Sequence, residues 1–193
     1  MIAMKQRLKE ALSRRWKQSI VDAGRVAAAV LLPIYDRQGQ YYILFTKRTE
    51  QVKVHKGQMS FPGGTYQEGD GTLLNTALRE CAEEIGLVAD EVEILGALDD
   101  VATQTSSYII SPFVGVIPWP YEFKVSTDEI EEIIEVPVSV LLGEGCLREE
   151  TVTIDDEAVA SCSYHYQGRV IWGATAGILG QFLDIFARVV QGF

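Results

Sequence analysis

The chain has 193 residues, 47% of them hydrophobic, and carries a formal net charge of −10 at pH 7. This length suits one domain, and the apolar content is enough for a full core, which argues against intrinsic disorder. The acidic balance argues against broad binding to DNA or RNA backbones, although a local cluster of cations and a bound metal can still hold a small anion.

The cysteines and the hydropathy pattern bear on where the protein works. Three cysteines, far apart and without a CxxC pair, fit free thiols in a reducing cytosol: Cys81, Cys146 and Cys162. No apolar run approaches the ~18 residues of a membrane span. We therefore expect a cytoplasmic protein without a membrane segment.

Residues 1–22 are basic and predict an amphipathic surface helix that packs on the body through Leu8, Leu12 and Trp16. An organellar targeting peptide is the alternative for this segment. Residues 23–193 form the main domain in this interpretation.

The main domain begins with a predicted hairpin, in which "RVAAAVLLPIYD" and "YYILFTKR" pair across the turn "DRQGQ". The glycine turn "FPGG" follows. An amphipathic helix is predicted over about Leu73 to Ile85, with Gly86 as the residue that ends it.

The second half alternates strands with helical segments. Strands are predicted in "VEILGALDD", in "YIISPFVGVIPW" and in "IEEIIEVPVSVLL", where a helical turn follows Pro137. Residues 147–172 are predicted to be β-rich, and "GATAGILGQFLDIFARVV" to be a closing helix. This mixture indicates a layered α/β domain.

The stretch "RECAEEIG" places Glu80, Glu83 and Glu84 on one helical face, where like charges cost a few tenths of a kcal/mol per pair. Taken alone, the three glutamates fit a solvated helical face. However, Arg79 stands four residues before Glu83 and can hold that carboxylate, and a carbonyl of the upstream glycine turn can approach an ion closely. Several carboxylates and a carbonyl form a hard-oxygen site suited to Mg²⁺ or Mn²⁺.

Residues 63–87, "GGTYQEGDGTLLNTALRECAEEIGL", resemble a Nudix box, the signature of hydrolases that cleave nucleoside diphosphates linked to another group. The second half of the pattern matches at Arg79, Glu80, Cys81, Glu83, Glu84, Gly86 and Leu87. The first half departs from it. Five residues lead from Gly64 to Asp70 where the family has Glu, and eight residues rather than seven separate Asp70 from Arg79.

The coenzyme A pyrophosphatase branch of this family has such an altered first half and an upstream signature that "LFTKRTEQVKVHKGQMSFPGG" resembles. The matching residues are Thr46, Arg48, His55, Gly57 and Phe61 to Gly64. Phe45 and Thr49 stand where the branch has Leu and Ser. The C-terminal "IWGATAGIL" resembles the end of that branch as well.

The resemblance implies a Nudix-type α/β/α sandwich with a mixed β-sheet, which hydrolyses coenzyme A or a derivative by direct attack of water on phosphorus. It implies that Mg²⁺ or Mn²⁺ is bound by Glu80, Glu83, Glu84 and the carbonyl of Gly64. Glu80 and Glu129 are the two candidates for the base, and for Glu129 an exposed surface residue is an equal alternative.

Four cationic or potentially cationic side chains upstream are predicted to bind the phosphates of the substrate: Arg48, Lys53, His55 and Lys56. A solvated basic loop is the alternative. ADP-ribose or a nucleoside triphosphate is the rival substrate, and a Nudix-fold binding module without turnover is the rival function. The sequence leaves the oligomeric state open, with a homodimer as one candidate.

Overall fold

The computed structural model describes residues 2–49, 57–104, 106–154 and 157–192. Within these ranges the chain forms four α-helices and eleven β-strands. The helices are α1 (Ile2–Arg14), α2 (Leu73–Ile85), α3 (Val138–Leu141) and α4 (Gly173–Gln191). The strands are β1 (Val26–Arg37), β2 (Gln40–Arg48), β3 (Met59–Ser60), β4 (Gly63–Thr65), β5 (Glu93–Ala97), β6 (Val101–Ala102), β7 (Tyr108–Val116), β8 (Ile130–Pro137), β9 (Leu147–Ile154), β10 (Glu157–Tyr166) and β11 (Arg169–Ile171).

The larger sheet has the order β3-β2-β1-β7-β5, and β4, β6 and β8 add to it on β1, β7 and β2. It is mixed, because β1 and β7 run parallel while its other pairs are antiparallel. The strands β9, β10 and β11 form a separate antiparallel sheet, so the β-rich segment predicted near the C-terminus is confirmed.

The predicted hairpin is present as β1 and β2, joined by a two-residue turn at Gln38 and Gly39. Both turn residues have positive φ, 56° and 86°, as the tight turn between twisted strands requires. Helix α2 also has its predicted bounds. At the start of α2 the Thr72 hydroxyl accepts a hydrogen bond from the backbone amide of Asn75, and Gly86 ends the helix in the left-handed conformation.

Helices cover both faces of the larger sheet. Helix α2 packs Ala77, Cys81 and Ile85 against one face, and α1 and α4 pack against the other. The predicted α/β/α sandwich with a mixed sheet is therefore confirmed. Leu8 and Leu12 of α1 are buried, as expected from the amphipathic pattern.

The prediction that Trp16 packs on the body is wrong. Helix α1 ends at Arg14, two residues before it, and the Trp16 side chain is 86% exposed. The neighbouring cations are tied to the body instead. Arg15 lies 2.6 Å from an Asp99 oxygen, and Lys17 lies 2.8 Å from an Asp100 oxygen. With its two neighbours held in this way, the indole points into solvent.

By length and composition alone, α4 is long and apolar enough to cross a membrane, and no other helix in the described ranges is. Its apolar stripe is part of the core, with buried residues at Ala176, Ile178, Leu179, Phe182, Leu183, Phe186 and Val189. The helix therefore stabilises the face of the sheet opposite α2.

Candidate active site

The glycine turn lies directly beneath the carboxylates of α2. In β4, Gly63 and Gly64 pair with Val30 and Ala29 of β1. A Cβ atom at Gly64 would lie 2.5 Å from Oε1 of Glu80, which is closer than real contacts allow. Glycine at this position therefore lets the backbone and the Glu80 carboxylate come into direct contact.

Arg79 is the centre of a network that orients this face of α2. Its Nη1 lies 2.9 Å from Oε1 of Glu80 and 2.9 Å from Oε2 of Glu83, so the predicted contact with Glu83 is present. Its Nε donates to Oδ1 of Asp70 at 2.7 Å, and its Nη2 donates to the carbonyl of Thr65 at 3.1 Å. The guanidinium is thereby fixed on several sides.

Asp70, the residue where the box departs from its family pattern, anchors that network. It is buried, and its Oδ2 accepts hydrogen bonds from the Thr76 hydroxyl at 2.8 Å and from the backbone amide of Gln67 at 2.9 Å. The hydrogen bond from Arg79, followed by the one from the Gln67 amide, lowers the pKa of Asp70 far below its usual value. An aspartate one residue further from the arginine can therefore still reach it.

Glu84 is the most deeply buried carboxylate of the group, with 2% of its surface exposed. It accepts hydrogen bonds from the Gly63 amide at 3.2 Å and from Nη1 of Arg48 at 3.3 Å. Burial nevertheless raises its pKa to about 8, against the opposing effect of Arg48. Burial also raises the pKa of Glu80. Such carboxylates gain free energy when a further cation approaches them.

Two side chains from outside α2, those of Arg48 and Glu129, complete the cluster. The register of β2 against β8 shifts between Lys47 and Arg48, and such an irregularity can redirect a side chain. Arg48 contacts Glu84 and lies 3.6 Å from an oxygen of Glu129, whereas Lys47 pairs with Glu131. Glu129, predicted from sequence as a remote candidate, is therefore brought beside the box.

The segment 121–126 was not singled out by the sequence, yet it positions this corner of the site. The last backbone carbonyls of α2 accept hydrogen bonds from it: Ser126 N to Glu84 O at 2.8 Å, Lys124 N to Ile85 O at 3.0 Å, and the Tyr121 hydroxyl to Gly86 O at 3.1 Å. These contacts fix the chain just before Glu129. The only local signal is the aromatic "WPYEF", which does not reveal a partner 35 residues away.

The predicted site residues are thus distributed in three groups. Arg48, Gly64, Glu80, Glu84 and Glu129 come together. Arg79 holds both Glu80 and Glu83 through the same nitrogen, and the Glu83 side chain is 57% exposed. Lys53, His55 and Lys56 lie outside the described residues. In the described ranges no three His, Cys, Asp or Glu side chains lie close enough to form a ready-made metal cluster. The carboxylate oxygens of the site are nonetheless donors of the kind that Mg²⁺ and Mn²⁺ prefer. The close contact at Gly64 also brings its backbone beside the Glu80 carboxylate.

Comparisons with known proteins agree with this geometry. A sequence model of the NUDIX domain family matches residues 24–162. The uncharacterized Nudix hydrolase NudL of Klebsiella pneumoniae subsp. pneumoniae is 36% identical over 167 residues, which cover 83% of this chain and 83% of that protein.

Solved structures share the fold at low identity. A MutT/nudix family protein from Enterococcus faecalis has a TM-score of 0.58 at 15% identity, covering 95% of this chain and 73% of that one. The C. elegans Ap4A hydrolase in a binary complex has a TM-score of 0.55 at 16% identity, covering 87% of this chain and 99% of that one. The family match over most of the chain, together with the NudL relative, shows that this chain belongs to the Nudix hydrolase family.

Proposed function

We propose that this Nudix hydrolase cleaves the diphosphate of coenzyme A or of a derivative, giving 3′,5′-ADP and 4′-phosphopantetheine or its acylated form. One observation carries the proposal. Arg48, from the upstream stretch that resembles the coenzyme A pyrophosphatase branch, lies against Glu84 of the box. Two stretches that are 36 residues apart in sequence thus meet in one site.

Nudix hydrolases generally need divalent metal ions. We assign Mg²⁺ or Mn²⁺ to Glu80, Glu83, Glu84 and the carbonyl of Gly64. The hard-oxygen donors and the glycine contact support this assignment, and Glu83 would have to turn away from Arg79. A metal bound there would neutralise phosphate charge and lower the pKa of a bound water.

The protein side chains then have separate tasks. The oxygen of water attacks one phosphorus, the bridging P–O bond breaks, and the leaving phosphate departs with the electron pair. The proton of the water passes to Glu80 or Glu129. Glu129 is half exposed and held by Arg48, so solvent reaches it readily, whereas Glu80 is held between Arg79 and Gly64. Arg48, Lys53, His55 and Lys56 are assigned to the phosphates of the substrate, including the 3′-phosphate.

Product analysis in ¹⁸O-water with Mg²⁺ tests this proposal. We expect coenzyme A to be cleaved to the two named products, with the label in one of them. The panel includes 3′-dephospho-coenzyme A, ADP-ribose and nucleoside triphosphates. Higher kcat/KM for ADP-ribose or a triphosphate would replace the proposed substrate, and no metal-dependent cleavage of any diphosphate would favour a binding module.

The same panel tests recognition of the 3′-phosphate. Arg48→Ala should reduce kcat/KM more for coenzyme A than for 3′-dephospho-coenzyme A. Equal losses on both substrates would show that Arg48 does not recognise the 3′-phosphate.

A further inference from the structure

The guanidinium of Arg48 lies between two carboxylates of the site. Its Nη1 is 3.3 Å from Oε1 of the buried Glu84, and its Nη2 is 3.6 Å from Oε2 of the half-exposed Glu129. It therefore occupies the space between two oxygen donors from different parts of the chain. A small cation that bound Glu84 from this side would need part of the same space.

This guanidinium is held loosely in comparison with its neighbour. Both of its contacts exceed the 2.7–2.9 Å of a strong charge-assisted hydrogen bond. Its Nε is buried and has no hydrogen-bond partner in the described part of the chain. The Nε of Arg79, by contrast, donates to Asp70 at 2.7 Å. An unpaired buried donor costs free energy, so we expect the Arg48 guanidinium to leave its position at a lower cost than the Arg79 guanidinium.

We infer that Arg48 is the internal counter-ion of the metal-free site and that a divalent metal displaces it from Glu84 and Glu129. The inference rests on the proposed metal role of Glu84. The displaced guanidinium turns towards solvent, where it meets the incoming diphosphate. Metal binding therefore precedes phosphate recognition, and Arg48 serves first the protein carboxylates and then the substrate.

The buried Nε–H of Arg48 offers a direct measurement, because it becomes accessible to water only if the guanidinium moves. We would follow the water-exchange rates of arginine Nε–H groups by ¹⁵N NMR in the wild-type chain while adding MgCl₂, without substrate. Arg48→Lys assigns the resonance by removing it. The Gly63 amide, which donates to Glu84, reports metal binding in the same sample.

We expect water exchange at the Arg48 Nε–H to accelerate about ten-fold or more, since this group passes from a closed to an open state. The Mg²⁺ concentration at half of this change should equal that at half of the chemical-shift change of the Gly63 amide. The Nε–H of Arg79, which donates to Asp70, should keep its rate. Lys47→Gln is the matched control, because Lys47 is the adjacent cation, pairs with Glu131 instead and should leave both responses intact.

The outcomes separate this inference from the proposed function. A Gly63 shift with unchanged or slower exchange at Arg48 overturns the displacement and leaves the metal site standing. Absence of both responses overturns the metal role of Glu84, and the inference with it. Loss of the Arg48 response in Lys47→Gln would show a general loosening of β2, which also overturns displacement.

Discussion

Gly64→Ala is predicted to impair catalysis without unfolding the protein. The new methyl group would lie 2.5 Å from Oε1 and 2.7 Å from Oε2 of Glu80. Because a carboxylate is the far end of a flexible side chain, it can move aside at little cost in stability. The backbone itself needs no adjustment, since Gly64 does not have the positive φ that disfavours alanine.

The size of the effect follows from the displacement. Ordinary contact begins near 3.4 Å, so the Glu80 carboxylate must shift by about 0.9 Å. That movement also disturbs its 2.9 Å contact with Arg79. A misplacement of about 1 Å in a catalytic group can reduce the rate by about 10²-fold. The corresponding loss of transition-state stabilisation is about 2.7 kcal/mol.

The assay compares kcat for coenzyme A at saturating Mg²⁺ with the thermal midpoint of unfolding. Gly69→Ala is the matched control, because a Cβ there meets nothing within 4 Å and should change neither quantity. Gly63→Ala is the opposite control. Its Cβ would lie 2.3 Å from the Ala29 carbonyl, and φ is +155°, so the midpoint itself should fall.

Two results would refute the reasoning. Wild-type kcat in Gly64→Ala would show that the position of Glu80 does not matter for the reaction. A fall in the thermal midpoint as large as that of Gly63→Ala would show that the contact is a packing constraint of β4 and not a feature of the site.

Three further predictions concern the cluster and its support. Glu84→Gln should abolish Mg²⁺ binding measured by calorimetry. Above pH 8, where the Glu84 carboxylate is ionised, it should also lower the thermal midpoint in EDTA, because it removes the buried partner of Arg48. The pKa of Asp70 is lowered in the folded protein, so its ionised carboxylate stabilises the fold above the unfolded-state pKa near 4, and this stabilisation is lost as the pH falls. The difference in thermal midpoint between wild type and Asp70→Asn should therefore narrow below pH 4. Tyr121→Phe removes hydrogen bonds to Gly86 and Val88 and should cost about 0.5–1.5 kcal/mol per bond in denaturant unfolding.

The features predicted correctly from sequence are those set by local chemistry. Helix α2 begins after the Thr72 cap and ends at Gly86, and its apolar stripe packs as its spacing indicates. Trp16 illustrates the opposite case. Helical periodicity placed it on the body, but Asp99 and Asp100, more than 80 residues away, hold the cations on either side of it. Only tertiary contacts decide such a position.

The carboxylates of the site show the same difference between what local sequence predicts and what tertiary contacts decide. The sequence revealed their spacing on α2 and the pairing of Glu83 with Arg79, whereas the pairing of Glu84 with Arg48 was not predicted. Arg79 was predicted to hold Glu83, but its anchor in Asp70 depends on the turn before α2. The segment 121–126, which places Glu129, binds the end of α2 through backbone carbonyls that any sequence could offer.

The repulsion among the glutamates is therefore relieved by two arginines of different character. Arg79 neutralises Glu80 and Glu83 from a fixed position, because buried Asp70 holds it through two nitrogens. Arg48 neutralises Glu84 from a position with long contacts, and its Nε has no hydrogen-bond partner among the residues that the structure describes. A cation entering the site would meet least resistance at the loosely held arginine. The deepest carboxylate, Glu84, is thus the one whose counter-ion is most readily exchanged.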